Sequence, residues 1–210
     1  MALKSLNRDG RNRITMARKS IIEDIRKDQI IESAIGALAS VGYTKTTLDQ
    51  IAETADISRG VITYYFKSKD QLISEVMNRI LTEQKEIIMG RVDRAGSPRE
   101  KLAEYIGASI DHMKSDRRHY EAQVELWSNL EYKKEFNQKI YRGCIEIVTK
   151  ILKEGIEAGV FRELDVQNAA VLIQGSIDGI MIQWVFNEGS VDLDTIKGLL
   201  TDTIFASIQR

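Results

Sequence analysis

A twenty-residue stretch in the first third of the chain carries polar side chains at spacings suited to contact with a nucleic acid. It covers residues 48–67, and its apolar side chains fall into two short helical periodicities. Ile51, Ile57 and Ile62 would form the seam between two helices, and Ala52 is small where those helices would cross. This arrangement is typical of a helix-turn-helix, which places its second helix in the major groove of DNA.

The ends of these two short helices can also be predicted. Thr47 and Gln50 have the spacing of a capping box at the start of the first helix. Asp56 falls in the turn, at a position that usually needs left-handed backbone, where glycine is best and aspartate is tolerated. Ser58 is then predicted to cap the second helix.

The outward face of the second helix has the side chains that a DNA groove favours. Arginine can pair with guanine or hold a phosphate, and a threonine methyl group can contact thymine. Tyrosine and lysine can reach phosphates, and a helix N-terminus attracts anions. The predicted DNA-contacting residues are Thr47, Ser58, Arg59, Gly60, Thr63, Tyr64, Tyr65 and Lys69.

The rest of the chain predicts helices and no strands. Apolar residues recur with helical spacing, no strand alternation competes, and the single proline, Pro98, follows the capping serine Ser97. The predicted fold is all-α, with an N-terminal three-helix helix-turn-helix domain and a C-terminal helical bundle. The predicted domains are a basic, flexible leader at 1–22, a helix-turn-helix DNA-binding domain at 23–68 and a helical bundle at 69–210. About nine helices are predicted, near 24–41, 48–54, 59–65, 69–90, 98–114, 117–128, 132–157, 166–186 and 193–208.

Charge is distributed unevenly along the 210 residues. The formal net charge is −1, yet residues 1–27 carry eight basic and three acidic side chains. Such a basic segment can contact phosphates or the minor groove of DNA. It can equally be a solvated leader, and the sequence leaves both interpretations open.

Composition argues against several functional classes. One cysteine, Cys144, excludes a disulfide within the chain, and two histidines provide no convincing metal site. There is no glycine-rich phosphate loop and no nucleophile elbow, so we expect no catalytic residues, no cofactor and no metal. The apolar segment 169–186 is interrupted by Asp178, which is costly in lipid, and no secretory signal opens the chain. The sequence therefore predicts a cytoplasmic protein without a membrane partner.

The segment from about Gln29 to Leu72 contains a series of motifs in a fixed order and spacing: Gly42-Tyr43, Thr46-Thr47-Leu48, Ile51-Ala52, Ala55, Ile57-Ser58-Arg59-Gly60 and Phe66-Lys67-Ser68-Lys69-Asp70-Gln71-Leu72. In these motifs the segment resembles the TetR family of bacterial transcriptional regulators. Two positions depart from the family pattern: Asp56 stands where glycine is usual, and Thr63 where tyrosine is frequent. A weaker resemblance, carried by residues 154–161, is to a common C-terminal pattern of the family. Residues 61–66 and Trp127 are similar to the branch that contains the choline-responsive repressor of betaine synthesis.

The resemblance implies a homodimeric, ligand-relieved repressor of a palindromic double-stranded DNA operator. It also implies that residues 69–210 form an effector-binding and dimerisation domain, a C-terminal helical bundle that dimerises. The last two helices would pair between subunits, and an unknown small-molecule effector would lie within the bundle. Candidate effector-binding residues are Tyr105, Met113, Trp127, Tyr141, Gln174, Asp178, Met181 and Trp184. Candidate interface residues are Gly175, Gly179, Leu199, Leu200 and Ile204.

Other interpretations remain open at this point. Aromatic residues and methionines at helical spacing also fit an ordinary core, and the paired glycines could pack within one subunit. The helix-turn-helix could mediate packing with a protein partner instead of DNA. The sequence also does not distinguish repression from activation.

Overall fold

The computed structural model describes the backbone of residues 3–128, 135–187 and 189–210. It describes the side chains of residues 21–128, 142–187 and 189–210. Within these ranges the secondary structure is α-helical and contains no strand, which confirms the predicted fold class. The helices are α1 Leu3–Lys45, α2 Leu48–Thr54, α3 Arg59–Tyr65, α4 Lys69–Val92, α5 Pro98–Met113, α6 Arg117–Ser128, α7 Glu135–Glu157, α8 Val166–Phe186 and α9 Leu193–Ile208.

The first helix is longer than the periodicity predicts. The prediction begins it near residue 24, whereas α1 begins at Leu3. No proline interrupts this segment, and the one glycine in it, Gly10, costs a helix interior only about 1 kcal/mol. The regular part of α1 ends at Gly42, whose φ of 78° lies in the left-handed region. Thr46 donates its backbone N–H to the Gly42 carbonyl at 3.1 Å, which closes the final turn.

The chain divides into two compact units, Met1–Val76 and Met77–Arg210, with the boundary inside α4. In the first unit α1 packs on α2, and α2 on α3. Its core consists of fully buried aliphatic side chains that follow the helical spacing of the sequence. Among them are Ile30, Ile35, Leu38, Ile51, Ile62, Leu72 and Ile73.

The second unit is a bundle in which α7 packs along α8, and α5 packs against α7, α8 and α9. Polar side chains cap the starts of three of its helices. Ser97 forms a capping box with Glu100, and Asp165 and Asp192 accept backbone N–H bonds at the starts of α8 and α9. The bundle core includes Leu102, Ile106, Val148, Leu152, Ile173 and Ile177.

The end of α7 is held by close packing against the chain that follows it. Gly159 has a φ of 70°, as expected for the residue that ends a helix. The Phe161 ring is 2% exposed and lies where a Cβ on Gly155 would be, 2.0 Å from the ring atom Cδ2. Phe161 also forms an isolated bridge with Gln209. The connection between α7 and α8 is therefore packed onto the end of the chain.

Candidate DNA-binding surface and effector site

The α2–turn–α3 segment has the geometry of a helix-turn-helix. Ile51 and Ile62 have no exposed surface, so these sides of α2 and α3 face the core of the first unit. Asp56 has a φ of 51°, which confirms the predicted left-handed position in the turn. The turn is closed by the Ile57 N–H, which donates to the Ala52 carbonyl at 3.0 Å. Because Ile62 faces inward, the opposite face of α3 is left for a partner.

That outward face is polar and accessible. Arg59, Gly60, Thr63 and Tyr64 are all exposed. Tyr64 is 71% exposed, and its ring contacts the Tyr65 ring edge-on at a centroid distance of 5.0 Å. A large aromatic side chain so open to solvent in a well-packed unit indicates a binding surface.

Arg59 is held over α2 by an ion pair. Its Nη1 lies 3.0 Å from Asp49 Oδ2, and the two side chains are 60% and 67% exposed. An exposed pair of this kind is worth at most about 1 kcal/mol. The Arg59 guanidinium can therefore leave Asp49 and bind a phosphate or a guanine edge at a small cost in free energy.

Thr63 and Ser58 use their hydroxyl groups differently. The Thr63 hydroxyl lies 3.1 Å from the Gly60 carbonyl and donates to the helix backbone, so its methyl group is the part suited to contact a base. Ser58 occupies the N-cap position of α3, but its side chain makes no capping hydrogen bond. The prediction that the Ser58 side chain caps this helix is therefore wrong, and the exposed hydroxyl is not committed to that role.

Thr47 and Lys69 are both engaged by protein groups. Thr47 caps α2: its hydroxyl accepts the Gln50 N–H at 3.2 Å, and its own N–H donates to Gln50 Oε1 at 3.0 Å. Lys69 Nζ donates to the Tyr43 carbonyl at 2.6 Å and lies 4.1 Å from the Tyr43 ring centre. Burial lowers the pKa of Lys69, and the neighbouring Asp70 opposes that shift. Lys69 therefore presents a positive charge whose position is set by Tyr43.

Two residues of this surface, Asp49 and Tyr43, are not among the predicted DNA contacts. Asp49 orients Arg59, and Tyr43 orients Lys69. A signal was available for Tyr43, since it follows Gly42, the residue at which α1 turns. The partnership of Asp49 with Arg59 joins two helices and could not be seen in the spacing alone.

In the second unit, three of the predicted effector-binding residues form a hydrogen-bonded chain. The Tyr105 hydroxyl donates to Gln174 Oε1 at 2.6 Å, and Gln174 Nε2 donates to Asp178 Oδ1 at 2.8 Å. Burial raises the pKa of Asp178 to about 6, and the Gln174 bond partly opposes the shift. Burial also raises the pKa of Tyr105, with further contributions from Cys144 and Asp178, so this hydroxyl stays protonated.

The other candidate effector-binding residues with described side chains belong to the bundle core that contains Tyr105 or pack against it. Met113 and Met181 are buried in its core, and Trp127 packs against that core. Trp184 also packs against this core, where its ring meets the Tyr120 ring at a centroid distance of 6.2 Å. The side chain of Tyr141 lies outside the described residues.

The candidate interface residues divide into exposed and buried sets. A Cβ added to Gly175 or Gly179 would meet no atom within 4 Å, and Leu199 is 64% exposed. Leu200 is partly buried, and Ile204 packs inside its own bundle. By length and composition α8 could cross a membrane, which is also true of many core helices. Its uncovered apolar side chains are Val171, Leu172 and Phe186.

Comparison with known proteins identifies the class to which this fold and surface belong. Residues 30–76 match the family described as bacterial regulatory proteins, tetR family. Residues 98–208 match the C-terminal region of BetI-type transcriptional repressors. The chain is thus a helix-turn-helix DNA-binding transcriptional regulator, and it belongs to the TetR family.

Individual relatives agree with this assignment. The chain is 30% identical over 185 residues to the fatty acid metabolism regulator protein of Bacillus subtilis, covering 87% of this chain and 95% of the relative. It is 23% identical to the regulator BetI of Escherichia coli, over 77% of this chain and 83% of that one. The crystal structure of FadR from Bacillus subtilis in complex with stearoyl-CoA matches with a TM-score of 0.78 and 30% identity. That match covers 86% of this chain and 98% of that one.

Proposed function

We propose that this regulator represses transcription by binding a palindromic operator as a homodimer, and that a small molecule bound in the second unit releases it. The observation that carries the proposal is the exposed face of α3, where Arg59, Thr63 and Tyr64 project from a helix whose other side is buried. These residue types can read base edges and hold phosphates. The proposed DNA contacts are those predicted above, with Asp49 and Tyr43 added as orienting residues.

The proposed subunit interface is the exposed apolar side of α8 and α9. Leu172, Phe186 and Leu199 are each more than 60% exposed, which is unusual for large apolar side chains on neighbouring helices. Gly175 and Gly179 would allow a second α8 to approach closely. In a dimer the two α3 helices would lie about 34–36 Å apart, one turn of DNA.

We propose that α4 carries the signal, because it runs from Lys69 in the first unit to Val92 in the second. A ligand that favours a different bundle packing would shift α4 and change the separation of the two α3 helices. To invert a 99:1 population, the ligand must bind the released form about 10⁴-fold more tightly. The relatives bind chemically different molecules: stearoyl-CoA in the FadR structure, and choline in the structure of a regulator from Saccharomonospora viridis.

The proposed domains correspond to these separate roles in DNA binding, effector binding and dimerisation. Residues 23–68 would bind DNA, and residues 69–210 would bind the effector and the second subunit. The basic leader, residues 1–22, would add phosphate contacts to those of α3. The site of action is the bacterial cytoplasm, where the DNA is.

The test is selection of bound fragments from genomic DNA, with affinities measured at two salt concentrations. We expect enrichment of a short palindrome. The combined substitutions Arg59→Ala, Thr63→Ala and Tyr64→Ala should weaken binding to it by at least about a hundredfold, since each good base contact is worth about 1–3 kcal/mol. Binding of all fragments alike, with strong salt dependence, would contradict sequence-specific recognition.

A matched control separates recognition from general charge loss. Lys153→Ala removes one positive charge from an exposed position on α7, as Arg59→Ala does on α3. It should leave the operator affinity unchanged. Light scattering should show that the triple variant stays folded and dimeric. If the helix-turn-helix served only for packing, the substitutions would instead disturb the fold or the dimer.

A further inference from the structure

The two histidines of the chain, His112 and His119, are buried in the second unit and have no part in the function proposed above. His112 lies near the end of α5 and His119 near the start of α6, and each is 8% exposed. In the part of the chain that the structure describes, no three His, Cys, Asp or Glu side chains are grouped so that they could hold a metal ion. What this pair offers is the ability of an imidazole ring to gain a charge in acid.

His112 joins α5 to α6 through a hydrogen bond to Tyr120. The His112 Nδ1 atom and the Tyr120 hydroxyl oxygen are 2.5 Å apart, and the two rings meet edge-on at a centroid distance of 5.7 Å. Burial raises the pKa of the Tyr120 hydroxyl, so this group stays protonated and donates. Nδ1 must then accept, which only a neutral imidazole can do. The contact between the two helices therefore requires an uncharged His112.

The surroundings of His112 oppose a positive charge on its ring. Burial lowers the pKa of His112, and the neighbouring His119 lowers it further, whereas Glu83 and Asp116 act in the opposite direction. A proton on His112 thus creates a charge that is poorly solvated and lies beside a second imidazole. The charged side chains of this region are Arg79 and Glu83 of α4, Asp116 before α6, and Arg117 and Arg118 of α6, with Arg117 over the Trp184 ring of α8.

The same part of α6 contacts α4, the helix that runs from the second unit into the first. His119 Nδ1 lies 3.8 Å from Glu83 Oε2, and Gln84 Nε2 donates to Gln123 Oε1 at 2.8 Å. Gln123 is 4% exposed, so loss of this bond would leave a buried amide oxygen without its partner. A displacement of α6 is therefore passed on to α4.

We propose that operator binding by this regulator is sensitive to acid, and that His112 is the group that takes up the proton. Protonated His112 no longer accepts the Tyr120 hydroxyl hydrogen, so α6 shifts relative to α5 and displaces α4. Because a palindromic operator fixes the separation of the two α3 helices, a displaced α4 weakens binding. The inference rests on the proposed function, since it names a second signal, besides a small molecule, that acts through α4.

The first test compares the operator affinity of wild type and His112→Asn at pH 7.5 and pH 5.0, by fluorescence anisotropy at constant ionic strength. Asparagine keeps an acceptor for the Tyr120 hydroxyl but takes up no proton in this range. Other groups, such as Asp178 with its pKa of about 6, titrate in both proteins alike. On acidification we expect the affinity of wild type to fall about tenfold more than that of the variant.

The route through α6 is tested with substitutions that leave His112 in place. Glu83→Gln combined with Gln123→Leu removes both contacts between α6 and α4. In this double variant the additional tenfold fall should disappear. The matched control is Glu86→Gln, which removes the same charge from an exposed position on the same helix and should behave as wild type.

A second readout follows the proton itself. The chain has only two histidines, so both ring signals can be followed by proton NMR in the free and the operator-bound protein. If protonation of His112 weakens operator binding, operator binding must weaken protonation by the same factor. The tenfold change is shared by two subunits, so the His112 midpoint should lie about half a pH unit lower in the complex. In the free protein Tyr120→Phe should raise this midpoint, because the bond to the neutral ring is lost.

Equal pH dependence of wild type and His112→Asn would overturn the proposal, as would a His112 midpoint that is the same in the free and the bound protein. The NMR comparison uses the wild-type chain, so it decides the question even if His112→Asn does not fold. A wild-type pH response in the Glu83→Gln, Gln123→Leu variant would refute the route to α4. Failure to bind an operator at any pH would refute the proposed function and this inference with it, whereas operator binding that ignores the charge of His112 refutes the inference alone.

Discussion

Replacing Asp178 by asparagine should make this protein more stable at neutral pH. Asparagine has nearly the same shape, can still accept the Gln174 bond through its own oxygen, and carries no charge to desolvate. The wild-type carboxyl has its pKa raised by burial from the ordinary 3.8 to about 6. The folded state thus holds a proton that the unfolded state has already released over this range of pH.

The sign and size of the effect follow from this difference. Wild-type stability falls as pH rises from about 4 to 6, and the full penalty is present above pH 6. Because one pKa unit is worth 1.36 kcal/mol, the ceiling is about 3 kcal/mol per subunit. Asp178 is only half-buried, so we expect Asp178→Asn to gain about 1–2 kcal/mol at pH 7.5. The gain should shrink steadily as the pH approaches 4.

The assay is urea unfolding followed by circular dichroism at pH 4.5, 6.0 and 7.5. All samples are kept at one protein concentration, since the stability of a dimer depends on concentration. Asp93→Asn is the control, because Asp93 is an exposed carboxylate beyond the end of α4. Equal stability of wild type and Asp178→Asn at all three pH values would refute the reasoning, as would a variant that is less stable at pH 7.5. Either result would mean that a partner compensates the charge in the assembled protein.

Three further predictions concern the packing and the helix ends, each measured by the free energy of unfolding. Gly155→Ala should lower the free energy of unfolding by about 3 kcal/mol, because the new Cβ would overlap the buried Phe161 ring. Gly143→Ala on the same helix meets no neighbouring atom and should be neutral or stabilising, so similar effects of the two substitutions would contradict the packing at Phe161. Asp56→Gly should gain about 1 kcal/mol by relieving a φ of 51°, while Asp56→Ala should bring no such gain, and equal effects would argue against a left-handed turn. Ser97→Ala should cost about 1 kcal/mol, since it removes the oxygen that accepts the Glu100 N–H at the start of α5; an unchanged stability would show that this cap contributes little.

The helix positions and the exposed face of α3 could be predicted from the sequence because their determinants are local. Ile51 and Ile62 set which sides of α2 and α3 face inward, and this in turn leaves Arg59 and Tyr64 outward. Caps such as Thr47 and Ser97 act within three residues of themselves. The start of α1 could not be predicted in this way, because residues before 24 carry neither a strong stop signal nor a regular apolar stripe.

The tertiary structure alone decided which of these side chains meet. The Tyr105 hydroxyl reaches Gln174 across 69 residues of sequence, and only the packing of α5 against α8 brings them within 2.6 Å. Leu199 and Ile204 are both apolar residues of α9, yet one is exposed and the other buried. A helix that is apolar around most of its circumference does not reveal from its own sequence which side its neighbours cover. Local sequence therefore determined the helices and the exposed face of α3, while the packing of helices that are distant in sequence determined which residues contact Asp178.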